Sequence, residues 1–205
     1  MEYLVTMTTH VPEGTPDDEV AETRTREAAH SRGLAHQGRL LRLWRPPLKP
    51  GEWRTLGLFA AADGADLEDT LASMPLRVWR TDEATALAPH PNDPDPRVVA
   101  QAAGPGPEFL TEFTVMIPTG GPDDAFMDAM AGEATRTREL AVQGHLLRLW
   151  ALSAEPQTAH AYGLWRAEGA DEMREILETL PLDPWMTVRT TPLSPHPNDP
   201  ALAED

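Results

Sequence analysis

The chain lacks several residue types on which common protein chemistries depend. It contains no cysteine, which excludes disulfide bonds, thiolate catalysis and cysteine-ligated metal sites. Lys49 is its single lysine, so Schiff-base chemistry is disfavoured. No run reaches the roughly 18 apolar residues that a membrane helix needs, and the first residues show neither a basic segment nor a cleavage site. We therefore expect a cytoplasmic protein without membrane association.

Positive charge is also scarce. Seventeen basic residues face 33 acidic ones, which gives a formal net charge of −16. Such a surface repels nucleic-acid phosphates, and no basic run reverses it, so we expect no nucleic-acid binding. The seven histidines show no metal-ligand spacing, and glycine-rich phosphate loops and the nucleophile elbow of serine hydrolases are absent. These absences predict no metal site and no nucleotide cofactor.

Two landmarks occur twice. Leu40–Trp44 reads Leu-Leu-Arg-Leu-Trp and returns at 146–150, and Pro89–Pro94 reads Pro-His-Pro-Asn-Asp-Pro and returns at 195–200. Both offsets are 106 residues (146 − 40 and 195 − 89), so the chain is one module written twice. We place repeat 1 at 1–94, a Pro/Gly/Ala-rich linker at 95–107, repeat 2 at 108–200 and an acidic tail at 201–205.

Hydrophobic periodicity predicts the order β-α-β-β-α-β in each repeat. The expected strands are 2–11, 39–45, 53–60 and 78–84 in repeat 1 and 108–117, 145–151, 160–166 and 185–191 in repeat 2; the helices are 17–37, 66–74, 122–143 and 171–180. This is the α+β, ferredoxin-like arrangement, with helices on one face of an antiparallel sheet. Because the other face needs cover, the repeats are expected to pair as an intrachain pseudo-dimer, a dimeric α+β barrel.

The first helix of each repeat carries the sharpest functional signal. Glu27 lies on a stripe with Val20, Arg24, Ser31 and Leu34, at the spacing of one helix face. Glu133 has the same place in repeat 2. Each carboxylate should therefore point toward the sheet, where burial raises its pKa unless a cation pairs with it. A raised pKa beside a pocket suits proton abstraction next to a carbonyl.

Three further pairs of residues are candidates for substrate binding. Arg42 and Arg148 lie among leucines on a central strand, where each could clamp a ligand carboxylate or form an ion pair with Glu27 or Glu133. Alternation places Leu40 and Trp44 on the face of Arg42, so Trp44 and Trp150 could wall a pocket or pack in the core. His90 and His196 could close the repeats structurally or reach into the other repeat's pocket.

Each repeat resembles muconolactone Δ-isomerase over 2–94 and 108–200. The resemblance is carried by an opening strand that ends in proline, a helix glutamate, a glycine, Leu-Leu-Arg-Leu-Trp, a proline-centred tripeptide and a closing His-Pro. In repeat 2 these are Pro118, Glu133, Gly144, 146–150, Leu180–Leu182 and His196–Pro197; in repeat 1 they are Pro12, Glu27, Gly38, 40–44, Met74–Leu76 and His90–Pro91.

The resemblance implies a cofactor-independent isomerase that shifts a ring double bond in a small lactone, and it implies further homo-oligomerisation. Glu27 and Glu133 would transfer the proton, while Arg42 and Arg148 would hold the substrate carboxylate or lactone carbonyl. Repeat 2 follows the family pattern better, because repeat 1 loses a proline and gains arginines across 75–80. The two sites are therefore not expected to be equal.

Two other functions remain open. The chain could be a small-molecule binding module without catalysis, or an isomerase or cyclase for a larger substrate resembling a natural product. A buried glutamate beside a closed pocket would favour catalysis, whereas a glutamate locked to Arg42 or Arg148 would favour binding.

Overall fold

A computed structural model describes residues 1–102, 104, 106–152 and 157–202 of the chain. Within them lie eight strands: β1 (Glu2–Thr9), β2 (Leu40–Arg45), β3 (Arg54–Ala60), β4 (Arg80–Pro89), β5 (Glu108–Met116), β6 (Leu146–Ala151), β7 (Thr158–Arg166) and β8 (Met186–Pro195). The α-helices of these residues are α1 (Asp17–His36), α2 (Gly64–Ser73), α3 (Pro96–Gln101), α4 (Asp124–Val142) and α5 (Ala170–Glu178). None of the described helices is long and apolar enough to cross a membrane.

The chain folds into two compact units whose boundaries cut across the repeats. Unit 1 contains Met1–Leu87 and the segment from Ser194 onward, and unit 2 contains Ala88–Leu193. We call Pro89–Pro94 and Pro195–Pro200 the closing segments. Each unit therefore consists of the body of one repeat and the closing segment of the other.

Unit 1 contains an antiparallel sheet in the order β4-β1-β3-β2. The end of β8 pairs with β2, with Trp44 opposite Pro195. Tyr3, Val5 and Phe59 pack under α1 and α2 in one apolar cluster, which buries one face of the sheet. Gly38 follows the C-cap of α1 with a φ of 68°, which favours glycine, and the Arg39 N–H donates to the Leu34 carbonyl at 2.9 Å.

Unit 2 repeats this plan in the order β8-β5-β7-β6, and the end of β4 pairs with β6. Its core includes Phe113, Leu140 and Trp165. The predicted order β-α-β-β-α-β is thus present in both repeats, with strand and helix ends that differ from the expected ones by a few residues.

A β-bulge overturns one expected detail of β2. The register shifts between Leu40 and Arg42, so simple alternation fails there. Leu40 and Leu43 both join the cluster under the helices. Arg42 and Trp44 flank Leu43 and therefore lie on the opposite face of the sheet. The expectation that Leu40 shares a face with Arg42 was wrong, and a bulge at the same place in β6 gives repeat 2 the same geometry.

Part of the expected linker is helical. Helix α3 starts with Pro96 at its first turn, and the Asp95 carboxylate accepts from the Arg97 N–H at 2.8 Å. Both are helix-start signals that the proline and glycine content of 95–107 concealed. Similarly, Trp79 lies in a short 3-10 helix, Pro75–Trp79, ahead of β4 rather than at the start of the strand.

Candidate functional site

Each unit has a cavity at the equivalent place, bordered by the first helix of its repeat, the sheet and a closing segment. Cavity 1, in unit 1, has a volume of about 520 Å³, and Glu27 and His196 are among its lining residues. Cavity 2, in unit 2, has a volume of about 420 Å³, and Glu133 and His90 line it. In both cavities the glutamate comes from one repeat and the histidine from the other.

The walls of cavity 2 are largely apolar. Phe113, Phe126, Leu149, Trp165 and Met186 surround Glu133, which projects from α4. Burial raises the pKa of Glu133, and a hydrogen bond from the Leu182 N–H at 3.1 Å opposes that rise. Among the described residues Glu133 forms no ion pair. Its carboxylate is therefore held among apolar groups without a neutralising cation, which is the setting of a general base.

His90 reaches cavity 2 from the closing segment of repeat 1. Its Nδ1 accepts a hydrogen bond from the Asn92 N–H at 3.1 Å, so the proton of the neutral ring is on Nε2. Burial lowers the pKa of His90, and the negative charge of Asp93 opposes this only in part. The ring is therefore a neutral hydrogen-bond donor near neutral pH.

Glu27 has a different environment in cavity 1. Its carboxylate accepts from Arg80 Nη1 at 3.1 Å and from the Leu76 N–H at 2.8 Å. Arg80 also donates to Asp82 at 2.6 and 3.0 Å. The side chains of Glu27, Arg80 and Asp82 are only 11%, 2% and 3% exposed, so they form a buried charged triad. Glu27 is therefore already engaged by a cation.

Cavity 1 is also much more basic than cavity 2. Arg24, Arg32 and Arg45 line it, and the Arg24 guanidinium lies 5.3 Å from the ring centroid of Trp53. Burial, and then the positive charges of Arg45 and Arg24, lower the pKa of His196 to about 4. The ring of His196 is oriented like that of His90, since the Asn198 N–H donates to its Nδ1 at 3.1 Å.

Arg42 and Arg148 do not belong to the lining of either cavity. Arg42 binds the buried carboxylate of Asp199 with its Nε and Nη2 at 3.1–3.3 Å, and the Leu43 N–H adds a bond of 3.0 Å to the same carboxylate. Arg148 approaches Asp93 at 3.4 Å. Of the alternatives open for these arginines, an ion pair with Glu27 or Glu133 is not the one found: the bulge turns Arg42 and Arg148 to the other face of the sheet, and Arg80 binds Glu27 instead.

Trp44 and Trp150 are likewise outside the cavities. Each is almost fully buried and stacks on the arginine of its own strand. The distance from the arginine Cζ to the tryptophan ring centroid is 4.7 Å for Arg42–Trp44 and 4.8 Å for Arg148–Trp150. Of the residues predicted to form the sites, the structure thus brings together each helix glutamate with one histidine. The arginines and tryptophans of the strands lie instead where the closing segments are bound.

Arg80 makes the surroundings of Glu27 differ from those of Glu133, and the sequence pattern did not identify it as a site residue. Its counterpart in repeat 2 is Met186, and the counterpart of Asp82 is Val188. The gain of arginine across 75–80 was the available signal. Arg80 and Asp82 occupy alternate positions of β4, where β8 has two apolar residues. Such a charged pair indicates that its arginine has a further buried ionic partner, in repeat 1 only.

Comparison with known proteins places these observations in a family. The profile of the muconolactone delta-isomerase family matches residues 1–93 and 108–199, which is most of the chain. Muconolactone Delta-isomerase of Cupriavidus pinatubonensis is 29% identical over 92 residues, which cover 45% of this chain and 97% of that protein.

Solved structures extend the likeness of the fold. Chlorite dismutase from Candidatus Nitrospira defluvii has 14% identity and a TM-score of 0.58, covering 95% of this chain and 91% of that one. A heme-binding protein from Thermus thermophilus has 12% identity and a TM-score of 0.56, covering 97% and 93%. At these identities the likeness shows the fold alone, and it confirms the predicted class of α+β chains of the dimeric α+β barrel type. With its two matched segments, the chain belongs to the muconolactone delta-isomerase family as a tandem duplicate.

Proposed function

We propose that the chain is a cofactor-independent isomerase that shifts a proton, and with it a C=C double bond, in a lactone or related small carbonyl compound. Cavity 2 is the working site in this proposal, and Glu133 is the base. The observation that carries it is the half-buried Glu133 carboxylate among apolar walls, with a raised pKa and no ion pair within the described residues.

The chemistry needs one base that can also return the proton. In a lactone whose ring double bond is conjugated with the carbonyl, the hydrogen at the far end of that system is acidic, because its removal leaves a dienolate. Glu133 takes this proton, and the double bond moves as the electrons spread onto the carbonyl oxygen. The protonated Glu133 then returns the proton to the carbon next to the carbonyl, so atoms and electrons balance without a redox partner.

His90 supplies the matching hydrogen bond in this proposal. Negative charge develops on the carbonyl oxygen as the proton leaves, and a positioned neutral donor stabilises it. The Nε2–H of His90 is such a donor, because the Asn92 amide fixes the tautomer through Nδ1. The base and the donor come from different repeats, which is consistent with both landmarks being repeated.

The lining of cavity 2 favours an uncharged substrate. Within the described part of the chain, no lysine or arginine lines it, so a substrate carboxylate would lose its hydration without gaining a cation. Muconolactone carries such a carboxylate, whereas a butenolide with an alkyl substituent does not. A volume of about 420 Å³ lies in the range of cavities that hold small organic ligands, which leaves room for a chain on the lactone ring.

The test follows solvent deuterium entering a γ-pentyl butenolide, measured by NMR at the ring carbon next to the carbonyl, where the proposed step delivers the proton. Glu133→Gln keeps the shape of the side chain and removes the base, so we expect exchange to fall by at least about 100-fold. Glu27→Gln is the matched control and should keep most of the activity, because Glu27 is engaged by Arg80.

The outcomes separate the candidate functions. Exchange by wild-type protein that survives Glu133→Gln would remove Glu133 from the mechanism. Binding of the butenolide without any exchange would indicate a binding module on the same fold. Faster exchange with muconolactone than with the neutral butenolide would contradict the proposed substrate class, and dialysis against EDTA should change nothing if no metal takes part.

A further inference from the structure

Cavity 1 combines a local excess of positive charge with an apolar floor. Its lining includes four arginines and one glutamate, in a chain whose formal net charge is −16. Met7, Leu43 and Met74 provide apolar surface, and Trp53 adds an aromatic face. Repeat 2 has Met130, Ala151 and Ala159 at the positions of Arg24, Arg45 and Trp53. The two cavities therefore differ in charge as well as in the state of their glutamates.

The arginines of cavity 1 are not all engaged in the same way. Arg80 is held by Glu27 and Asp82, but Arg24, Arg32 and Arg45 form no ion pair within the described residues. Their side chains are exposed at the cavity, where a bound anion could meet them. Arg24 is already positioned by its contact with Trp53.

Buried hydroxyl groups add to this polar lining. Ser31 and Thr9 are 2% and 6% exposed, and both line cavity 1. Hydroxyl groups can donate to an anion without a charge of their own. Neutral His196 also contributes a ring N–H, because its Nδ1 accepts from Asn198.

We propose that cavity 1 is a binding site for a small organic anion, namely a carboxylate attached to a flat apolar group, and that it does not convert this ligand. Arg24 and Arg45 bind the carboxylate, and Trp53 with its apolar neighbours contacts the flat group. Planar guanidinium groups suit a carboxylate because they can offer two parallel donors.

The buried triad explains why this cavity binds without reacting. The Glu27 carboxylate is held by the Arg80 guanidinium and by the Leu76 N–H, so a substrate proton would have to compete with an ion pair for it. The proposal concerns cavity 1 alone and does not depend on Glu133 or on activity in cavity 2.

The test uses phthalate as the anionic probe and phthalamide as its uncharged counterpart, each titrated calorimetrically into the full chain at low salt. We expect phthalate to bind at least about ten-fold more tightly than phthalamide, with an affinity that falls as salt is added. The double variant Arg24→Gln/Arg45→Gln should weaken phthalate binding by at least about ten-fold. Both positions are exposed, so the fold should be unaffected.

Arg138→Gln is the matched control, because Arg138 occupies an exposed site on α4 and lines neither cavity. It should leave phthalate binding unchanged. The indole N–H signal of Trp53, assigned from its loss in Trp53→Phe, should shift on binding. Equal binding of the two probes, no binding of phthalate, or equal losses in the double variant and Arg138→Gln would each overturn the proposal. Phthalate binding should persist in Glu133→Gln, so this result can be distinguished from the outcome of the isomerase test.

Discussion

Two glutamates at the same place in the repeat have different neighbours because of one side chain of the final strand. Glu27 binds the Arg80 guanidinium, whereas Glu133 lines a cavity with Met186. Both accept one backbone N–H, from Leu76 and Leu182 respectively. The two carboxylates therefore differ in the presence of a neighbouring cation and not in the helix that carries them.

The pH dependence of the proposed isomerase reaction should follow the ionisation of Glu133. The base must be ionised, and burial raises its pKa above the ordinary value of about 4.3. Activity should therefore fall as the pH drops through this raised pKa and should be lost at a higher pH than an exposed glutamate would give. Burial lowers the pKa of His90, so the protonation of its ring should add no second limb near neutrality. The profile of kcat/KM checks this, and a midpoint at the ordinary value would contradict it.

Helical spacing was sufficient to orient both glutamates toward the sheet, but it could not identify their partners. Glu27 is buried and Glu133 half-buried, as the stripe on the first helix predicts. Regular alternation from Leu40 to Trp44 allowed an ion pair of Arg42 with Glu27, and the register shift between Leu40 and Arg42 removes that possibility. The bulge that breaks this alternation leaves no mark in Leu-Leu-Arg-Leu-Trp, since leucine fits either face of the sheet.

At the scale of elements, the two sites are distinguished by the final strand of each repeat. Strand β4 starts with Arg80 and Asp82, and β8 starts with Met186 and Val188. Arg80 binds the glutamate of α1, and Met186 lines the cavity of Glu133. The same backbone therefore carries a carboxylate paired with a cation in repeat 1 and one in a largely apolar cavity in repeat 2.

Removing Arg80 alone should be costly. Arg80→Met leaves the buried Glu27 without a cation and leaves Asp82 with Arg77 alone, so we expect the free energy of unfolding to fall by about 3–5 kcal/mol. Adding Asp82→Val should recover part of this loss, since it reproduces the apolar pair of β8. Urea unfolding measures both changes. Arg54→Met is the control: its pair with Glu52 is partly exposed, and its loss should cost less than about 1 kcal/mol.

The reverse exchange should switch off the working site. Met186→Arg with Val188→Asp moves the charged pair of β4 onto β8 and offers Glu133 a guanidinium. Deuterium exchange should fall by at least about 10-fold, and any remaining acid limb should move to lower pH because a nearby cation favours the ionised carboxylate. Met186→Leu keeps the wall apolar and should retain activity. Full activity in the double variant would show that the neighbour of Glu133 does not control its basicity.

At the scale of the whole chain, the two repeated landmarks belong together because they bind each other across the repeats. Asp199 of repeat 2 binds Arg42 of repeat 1, and Asp93 of repeat 1 binds Arg148 of repeat 2. The constant offset revealed the duplication, but it cannot show which closing segment binds which repeat body. That information resides in the fold, which gives each repeat body the closing segment of the other.

The two attachments should differ in strength. The Asp199 side chain is fully buried and accepts from Arg42 at 3.1–3.3 Å, whereas Asp93 is 24% exposed and meets Arg148 at 3.4 Å. Asp199→Ala should lower the free energy of unfolding by about 3 kcal/mol, because it removes a buried carboxylate from a cation and from the Leu43 N–H. Asp93→Ala should cost less, on the order of 1–2 kcal/mol, since water partly screens that pair.

Urea unfolding of both variants checks the order, and a double-mutant cycle with Arg42→Met isolates the contact itself. If the ion pair holds the closing segment, Asp199→Ala should cost less in the Arg42→Met background than in the wild type. Because His196 lies three residues before Asp199, Asp199→Ala should also weaken phthalate binding in cavity 1, while Asp93→Ala should instead slow the exchange reaction through His90. Equal effects of the two variants on both measurements would contradict the assignment of one closing segment to each cavity.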